Sequence, residues 1–377
     1  MSMYYFDHCA TTPLHKKVVE TMQRTELDNF GNPSSTHKWG QKSRSIIETA
    51  RNQMADSVGC SPYEIIFTGG GTESNNLVLY NLIHNSKTHV ITSAIEHPAI
   101  LNVLDRLKHF GIKTTILKVD KTGVINPDHL KETIRKNTGL ISIMYANNET
   151  GVIQPLVKLS SIARDHGIPF HSDGVQAIGK FSVDVYKTGV SMMSFSAHKF
   201  YGPKGVGALF IKENTQLKSF IIGGGQERSL RAGTENVPGI AGMGIAAELA
   251  KTELNETVTH LKNLEQIFKS SIIKRIENLI FNTASEQLPG VVSITIPSTD
   301  SRKLIIGLSR RGMAVSSGSA CSSGTVKPSH VLNAIGLSNE MNMKTLRISF
   351  GKGNTENDVK DLVKAISTIV KGNRFNG

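Results

Sequence analysis

The sequence predicts an α/β fold in which a mostly parallel, seven-stranded sheet is covered by helices on both faces. Short apolar runs alternate with amphipathic helical patterns from about residue 64 to about residue 212. Strands that are apolar throughout are typical of a parallel sheet that is buried on both faces. The chain of 377 residues also exceeds what one hydrophobic core usually supports, so we expect a second, smaller domain.

Each element of the main sheet is predicted from its own pattern. The strands are expected at 64–68, 89–93, 114–120, 140–146, 169–173, 191–195 and 206–212. The intervening helices are expected at 42–58, 73–84, 99–110, 127–136 and 155–166. In the first of these, Ile47, Ala50 and Met54 fall on one helical face. Ligands of such a sheet bind at the carboxyl ends of its strands.

A long helical pattern at 238–276, interrupted near Asn255, leads into the second domain. This domain is predicted to be α+β, with strands at 290–296, 313–316 and 346–350 and helices at 302–311 and 328–335. A last helix begins at Thr355-Glu356-Asn357-Asp358, which is similar to a capping box. We expect 14–257 to form the large domain, and 1–13 together with 258–377 to form the small one.

The composition is that of an ordinary soluble protein. The formal net charge is +12, but the basic residues are spread along the chain without interleaved aromatics, so direct nucleic-acid binding is not expected. No apolar run approaches a membrane span, and the first residues lack a signal pattern. We therefore expect a cytoplasmic protein that does not enter a membrane.

The three cysteines, Cys9, Cys60 and Cys321, are too few and too scattered for a disulfide framework or a zinc site. We expect reduced thiols, any of which could be reactive.

The run at 194–205, which reads SFSAHKFYGPKG, surrounds one lysine with hydroxyls, an imidazole and glycines directly after an apolar strand. An amine attacks a carbonyl only when it is unprotonated, so enzymes lower the pKa of such a lysine by partial desolvation and neighbouring cations. Lys199 is therefore a candidate Schiff-base lysine, with Ser196 and His198 as donors to a nearby anion. A surface lysine in a turn is the alternative that this segment alone leaves open.

Four other predicted strands also end in polar groups. The glycine-rich turn 69–76, GGGTESNN, opens a helix, and Gly71 and Thr72 suit an oxyanion at the helix amino end. A tight strand-to-helix connection would have the same residues.

His97 could stack on a planar cofactor and move protons, or it could cap the next helix. Asn148 could recognise a polar ligand, although a turn also uses adjacent amides. Asp173 could pair with a protonated ring nitrogen or cap a turn.

Taken in order, these motifs resemble the pyridoxal-phosphate enzymes of the class V aminotransferase group, which have fold type I. The motifs are GGGTESNN at 69–76, EH at 96–97, NNE at 147–149, DGVQ at 173–176 and SAHK at 196–199. Within that group the sequence is similar to the cysteine desulfurases of the NifS/IscS type. The resemblance extends from YFDHCATTP at 5–13 to the last strand and includes GNPSS at 31–35.

The resemblance implies a role for each candidate residue. Lys199 would carry the cofactor pyridoxal 5'-phosphate and later move protons, and His97 would stack on the ring and assist. Asp173 would pair with the pyridinium nitrogen and Gln176 with the phenolic oxygen. The phosphate would be held by Gly71, Thr72, Ser196 and His198, and by Thr234 reaching over from the other subunit of a homodimer. Arg347, with Asn148, would bind the substrate carboxylate, because a guanidinium grips a carboxylate through two parallel hydrogen bonds. A structural ion pair is the alternative for Arg347.

Cys321 distinguishes a desulfurase from an aminotransferase. It lies in SSGSACSSG at 316–324, a run of small residues that we expect to be mobile and exposed. A thiol there could attack the sulfur of bound cysteine and carry it away as a persulfide, provided that it is deprotonated. Cys9 and Cys60 are not expected to act in this way.

The sequence thus predicts a cysteine desulfurase that converts L-cysteine to L-alanine and donates sulfur to an acceptor protein. An iron-sulfur scaffold and a tRNA-thiolating enzyme are both plausible acceptors. The alternatives are a selenocysteine lyase or another class V enzyme, and a basic nucleic-acid-binding or scaffold protein without catalysis.

Overall fold

The structure is a computed structural model that describes residues 3–283, 286–317 and 327–374. The strands are β1 Tyr4–Tyr5, β2 Ile65–Thr68, β3 His89–Ser93, β4 Lys113–Leu117, β5 Thr138–Ser142, β6 Phe170–Asp173, β7 Met192–Ser196, β8 Gly207–Ile211, β9 Ile280–Phe281, β10 Val291–Thr295, β11 Met313–Ala314 and β12 Thr345–Ser349. The helices are α1 Lys16–Asp28, α2 Lys38–Val58, α3 Gly71–Tyr80, α4 Pro98–Leu107, α5 Pro127–Thr133, α6 Leu156–Asp165, α7 Val185–Thr188, α8 Val237–Thr252, α9 Leu254–Ile272, α10 Ser301–Ser309, α11 His330–Ala334, α12 Asn339–Asn342 and α13 Glu356–Arg374.

The main sheet contains seven strands of the described chain in the order β2-β8-β7-β6-β5-β3-β4. Its pairs are parallel except that β8 runs antiparallel to both of its neighbours, β2 and β7. The predicted fold class is confirmed. β2 to β8 are buried throughout, apart from the edge strand β4, which agrees with helices covering both faces.

Two strands end earlier than their apolar runs predict. β4 ends at Leu117 and β5 at Ser142, although the apolar residues continue to Val119 and Ala146. Past β5 the chain still donates hydrogen bonds to β6, from the Ile143 amide to His171 and from the Tyr145 amide to Asp173. Past β5 the apolar residues Ile143, Met144 and Ala146 are buried as predicted, but they lead into a turn and not along a strand, whereas Val119 past β4 is only half-buried.

Two helices of the large sheet region, α1 and the four-residue α7, have no counterpart in the predicted elements, and α1 is the longer. Of its 13 residues, Val18 and Thr25 are the buried ones. With so few buried positions the apolar stripe is too weak to mark a helix in the sequence. Gly242 of α8 lies against Met22 and Val18, so the close approach of α8 fixes α1 in place.

A second hydrophobic core lies outside the main sheet. It combines Phe6 with residues between Leu261 and Val370, whereas the two cores that cover the main sheet use residues between Val18 and Ala250. β12, β10 and β9 form an antiparallel sheet here, and β1 pairs with β11. The predicted break in the long helix falls at Glu253, between α8 and α9. We propose the domain division 14–257 against 1–13 with 258–377 on the basis of these separate cores.

None of the helices in the described ranges is both long and apolar enough to cross a membrane.

Candidate active site

A cavity of about 220 Å³ opens at the carboxyl ends of the central strands. Each of five strand ends contributes to its lining. The contributing residues are Gly71, Thr72 and Asn75 after β2, His97 after β3, Asn148 after β5, Asp173 and Gln176 at the end of β6, and Ser196, His198 and Lys199 at the end of β7. The structure therefore brings together nearly all of the residues that the sequence motifs singled out.

Lys199 follows β7 in a short turn, and its Nζ donates hydrogen bonds to the backbone oxygens of Cys9 and Ala10, at 2.7 Å and 2.8 Å. Burial, and after it the nearby charge of Lys180, lowers the pKa of Lys199 from 10.5 to about 8. An amine with that pKa is partly unprotonated near neutral pH, which is the condition for attack on a carbonyl.

Asp173 is nearly buried at the end of β6 and is held from two sides. Its Oδ1 accepts from the Val175 amide at 3.0 Å, and its Oδ2 accepts from Asn75 Nδ2 at 2.8 Å. A carboxylate has about four acceptor positions, so both oxygens keep lone pairs for a further donor. The arrangement fits a protonated ring nitrogen in the cavity.

A second cavity, lined by Thr72, Ser196 and His198 together with the glycines before α3, adjoins the first. Within the part of the chain that the structure describes, no side chain caps the amino end of α3, so its backbone N–H groups remain available to an anion. Gly70 has φ +145°, a conformation that a side chain would strain. These features form a cradle for a phosphate.

His198 and Lys204 add to this cradle in different ways. His198 Nδ1 lies 3.1 Å from Thr11 Oγ1. Burial, with Lys199 and Lys204 nearby, lowers the pKa of His198 to about 4, so the ring is neutral at physiological pH. A neutral ring offers one N–H to an anion, whereas the charge comes from the lysines.

His97 caps the next helix, which is one of the two alternatives that the sequence left open, and it also lines the cavity. Its Nδ1 accepts from the Ala99 amide at 3.1 Å and so caps α4. Because an amide can only donate, Nδ1 is the acceptor and a neutral ring carries its proton on Nε2. Desolvation lowers the pKa of His97, Asp173 opposes this, and Lys199 adds to it. The cap therefore orients a ring that also lines the cavity.

Asn147 and Asn148, which could form a turn or recognise a ligand, have different positions in the structure. Asn147 builds the turn, since its Oδ1 accepts from the amides of Glu149 and Thr150. Asn148 lines the cavity. Its backbone oxygen accepts from Arg347 Nη1 at 3.1 Å, so Arg347 of β12 lies beside the cavity rather than within its lining.

Arg347 also forms an ion pair with Asp7, with 2.6 Å between Nη2 and Oδ1. Burial works against its charge, while Cys9, Asp7 and Glu149 favour it, and the pKa of Arg347 is raised overall. Its buried Nε has no hydrogen-bond partner among the described residues. The predicted substrate ligand and the structural ion pair are thus both compatible with this geometry.

One predicted residue of the described chain, Thr234, lies away from the cavity. Thr234 is exposed on the segment before α8 and does not line the cavity of its own chain. Cys321 lies outside the described residues. Of the other thiols, Cys9 is buried, and burial near Glu64 raises the pKa of Cys60 to about 12.

Three acidic or basic residues beside the cavity were missed from sequence. Buried Glu96 accepts from Ser93 Oγ at 2.5 Å and from the Met144 amide at 2.9 Å, so it joins the ends of β3 and β5. Burial raises its pKa to about 8. Its position in the apolar context of Ala94 and Ile95 is the signal that could have marked it.

Glu149 is the second, and it accepts from Ser329 Oγ at 2.5 Å. It therefore ties the turn after β5 to the small domain. The third residue, Lys180, is buried and donates to Gln176 Oε1. Lys180 follows Gly179, as a lysine in a surface turn would, so the sequence does not set it apart from exposed lysines. Its burial in the structure does.

The donor set as a whole fits pyridoxal 5'-phosphate. The uncapped helix end and the glycine cradle suit its phosphate. The carboxylate with free lone pairs suits its ring nitrogen, and the lysine of lowered pKa suits its aldehyde. The fold and this site define a pyridoxal-phosphate enzyme of fold type I. In agreement, the family model for class V aminotransferases matches residues 4–362, and the chain belongs to that family.

Individual relatives refine this assignment to the cysteine desulfurases of the NifS/IscS type. The chain is 43% identical to a cysteine desulfurase IscS of Dictyoglomus turgidum over 371 residues, which cover 97% of this chain and 94% of the relative. It is 42% identical to a cysteine desulfurase IscS of Methanosarcina thermophila, with 97% and 92% covered. A solved structure described as a NifS-like protein superposes with a TM-score of 0.93 at 36% identity, covering 98% of this chain and 100% of that one. The resemblance read from the motifs is confirmed.

Proposed function

We propose that this protein is a pyridoxal-phosphate-dependent cysteine desulfurase that converts L-cysteine to L-alanine and retains the sulfur as a persulfide on Cys321. Membership of the family supports the reaction class. The observation that carries the proposal is Lys199, whose amine has a pKa of about 8 and lies in one cavity with Asp173 and His97. Cys321, in its run of small residues, supplies the thiol that this reaction requires.

The cofactor would be held by the residues that line the two adjoining cavities. Gly71, Thr72, Ser196 and His198 would bind the phosphate, and Asp173 and Gln176 would bind the ring. When bound, pyridoxal phosphate supplies an electron sink for charge that develops at the substrate α carbon. Thr234 of the partner subunit would complete the phosphate site in a homodimer.

The substrate carboxylate would be bound by Arg347 and Asn148. The unpartnered Nε of Arg347 supports this assignment, because a buried N–H group without an acceptor is unfavourable. The Asp7 ion pair holds the guanidinium in place from the other side.

Proton transfer at the substrate falls to Lys199, with His97 Nε2 as the second group. The Cys321 thiolate attacks the substrate sulfur, so an S–S bond forms as the C–S bond breaks. The electron pair of the C–S bond remains on the β carbon, which is then protonated. One cysteine and one enzyme thiol give one alanine and one enzyme persulfide, so no external oxidant is needed.

The persulfide would pass to a separate acceptor, such as an iron-sulfur scaffold or a tRNA-thiolating enzyme. We propose that this transfer takes place in the cytoplasm between proteins, without direct contact with nucleic acid or membrane. The even spread of the basic residues supports this proposal.

The experiment that tests the function compares Cys321→Ala with Cys60→Ala as the control. Cys321→Ala should abolish persulfide and sulfide formation from L-cysteine while the visible absorption of the bound cofactor persists. Cys60→Ala should retain the activity. Full desulfurase turnover by Cys321→Ala would refute the assigned nucleophile, and faster turnover of L-selenocysteine alone would favour a selenocysteine lyase.

A further inference from the structure

Lys180 is a buried cation without a counter-charge. It lies in the turn between β6 and α7 and is 9% exposed. Across the described ranges no Asp or Glu forms an ion pair with it, and burial lowers its pKa. A buried lysine is unfavourable unless it is paired, so such a residue indicates a functional constraint.

Two hydrogen bonds, one from Lys180 Nζ and one to the Cys9 backbone oxygen, fix how the Gln176 side chain is oriented. Lysine can only donate, so the atom of Gln176 that faces it must be the oxygen Oε1. The amide nitrogen Nε2 then points the other way and donates to the backbone oxygen of Cys9 at 3.0 Å. The Cys9 oxygen can only accept, so it requires the same orientation, and Lys180 supplies the donor that the Oε1 side of the amide needs.

The same Cys9 oxygen accepts from Lys199 Nζ at 2.7 Å. Lys180, Gln176, the Cys9 backbone and Lys199 therefore form one continuous hydrogen-bonded network, of which Gln176 and Lys199 line the cavity. Both ends of this network are amines, and after burial the charge of Lys180 is the largest influence on the pKa of Lys199.

We propose that Lys180 is a positioning residue that fixes the Gln176 amide toward the cofactor site and places a second cation beside Lys199. The inference rests on the proposed function, since it assigns Lys199 as the amine that must be unprotonated. It adds a residue that acts through Gln176 and Lys199 and does not itself touch the substrate.

Several other groups also act on Lys199 and must be considered together with Lys180. Arg347 lowers its pKa further, whereas Cys9 and Asp173 raise it. The imidazoles of His97 and His198 lie close enough to respond to the charge of Lys199. Among the charged neighbours, Lys180 has the largest effect, so its removal should be visible above the rest.

The test measures the pKa of Lys199 in the cofactor-free protein, from the pH dependence of its acetylation followed by mass spectrometry. Lys180→Met should raise this pKa by roughly one unit, and it should also weaken binding of pyridoxal phosphate. Lys180→Arg should restore a value close to that of the unaltered protein. Lys212→Met, which removes an exposed lysine after β8, is the matched control and should leave the value unchanged.

Lys180→Gln separates the two parts of the proposal, because an amide can still donate to Gln176 but carries no charge. It should raise the pKa of Lys199 as Lys180→Met does, while pyridoxal phosphate binds more tightly than in Lys180→Met. It also serves if Lys180→Met fails to fold. An unchanged Lys199 pKa in a folded Lys180→Gln protein would overturn the proposal. Because no turnover is measured, this failure is distinct from a failure of Cys321 as nucleophile.

Discussion

Arg51 on α2 and Lys199 after β7 are both basic residues, but their hydrogen-bond partners differ. Buried Arg51 makes two hydrogen bonds of 2.8 Å to the carboxylate of Glu227, which is itself 4% exposed. Its pKa is raised, because these bonds outweigh the effect of burial. Lys199 instead donates to two carbonyl oxygens, and burial, followed by the charge of Lys180, lowers its pKa to about 8.

The difference separates a structural cation from a reactive one. A carboxylate partner keeps a buried cation protonated and makes it part of the framework. When carbonyls replace the carboxylate, the unprotonated form becomes accessible, and the group can act as a nucleophile or base.

The largest effect should come from Lys199→Arg, which keeps the positive charge but prevents deprotonation. We expect desulfurase activity to fall by about 10³-fold or more, since both cofactor attachment and proton transfer are lost. Steady-state turnover of L-cysteine measures the loss, and thermal unfolding checks that the fold is retained. Lys212→Arg is the control, and a variant that kept a tenth of the activity would place the reactive amine elsewhere.

Arg51→Met should show the opposite pattern, with loss of stability rather than of chemistry. It leaves Glu227 buried with only the Phe67 amide, at 2.8 Å, as its remaining hydrogen-bond donor. Breaking a buried pair in this way typically lowers the free energy of unfolding by about 3–5 kcal/mol. Urea unfolding measures this loss, and Arg51→Met with Glu227→Leu should recover part of it. A stable protein with lowered activity would contradict the structural role.

Arg347→Gln tests a residue that lies between the two types, since it has both an ion pair and an unpartnered N–H group. If Arg347 binds the substrate carboxylate, KM for L-cysteine and Kd for L-alanine should both rise by about 10- to 100-fold, the effect of one charged hydrogen bond. Asp7→Asn removes only the ion pair and should change both constants much less. If Asp7→Asn changed KM and Kd as much as Arg347→Gln does, Arg347 would be a structural residue and not a substrate ligand.

The sequence predicted most of the site because the chemistry of a parallel sheet collects at its carboxyl edge. Continuous apolar runs predicted the strands. The polar residues that follow these runs, such as Asp173 and Lys199, were therefore expected together at the carboxyl edge of the sheet. Sequence could not decide between capping and chemistry for His97, because the two are compatible: the cap bond uses Nδ1 and leaves Nε2 without a part in it.

The residues that were missed depend on contacts between distant parts of the chain. Lys180 follows a glycine, as a surface turn would, and becomes unusual only through its burial against Gln176 and the Cys9 backbone. Glu149 is defined by Ser329, which is 180 residues further along. No local pattern encodes such a pair, whereas strand ends are encoded locally.

Since no carboxylate among the described residues is hydrogen-bonded to Lys199, burial and the charge of Lys180 should leave its amine reactive at neutral pH. The most direct measurement is the titration of Lys199 itself in the cofactor-free protein, through the pH dependence of its acetylation and of pyridoxal-phosphate incorporation. The account predicts that both rates rise with pH and level off above a pKa of about 8. A pKa near the ordinary lysine value of 10.5 would contradict it.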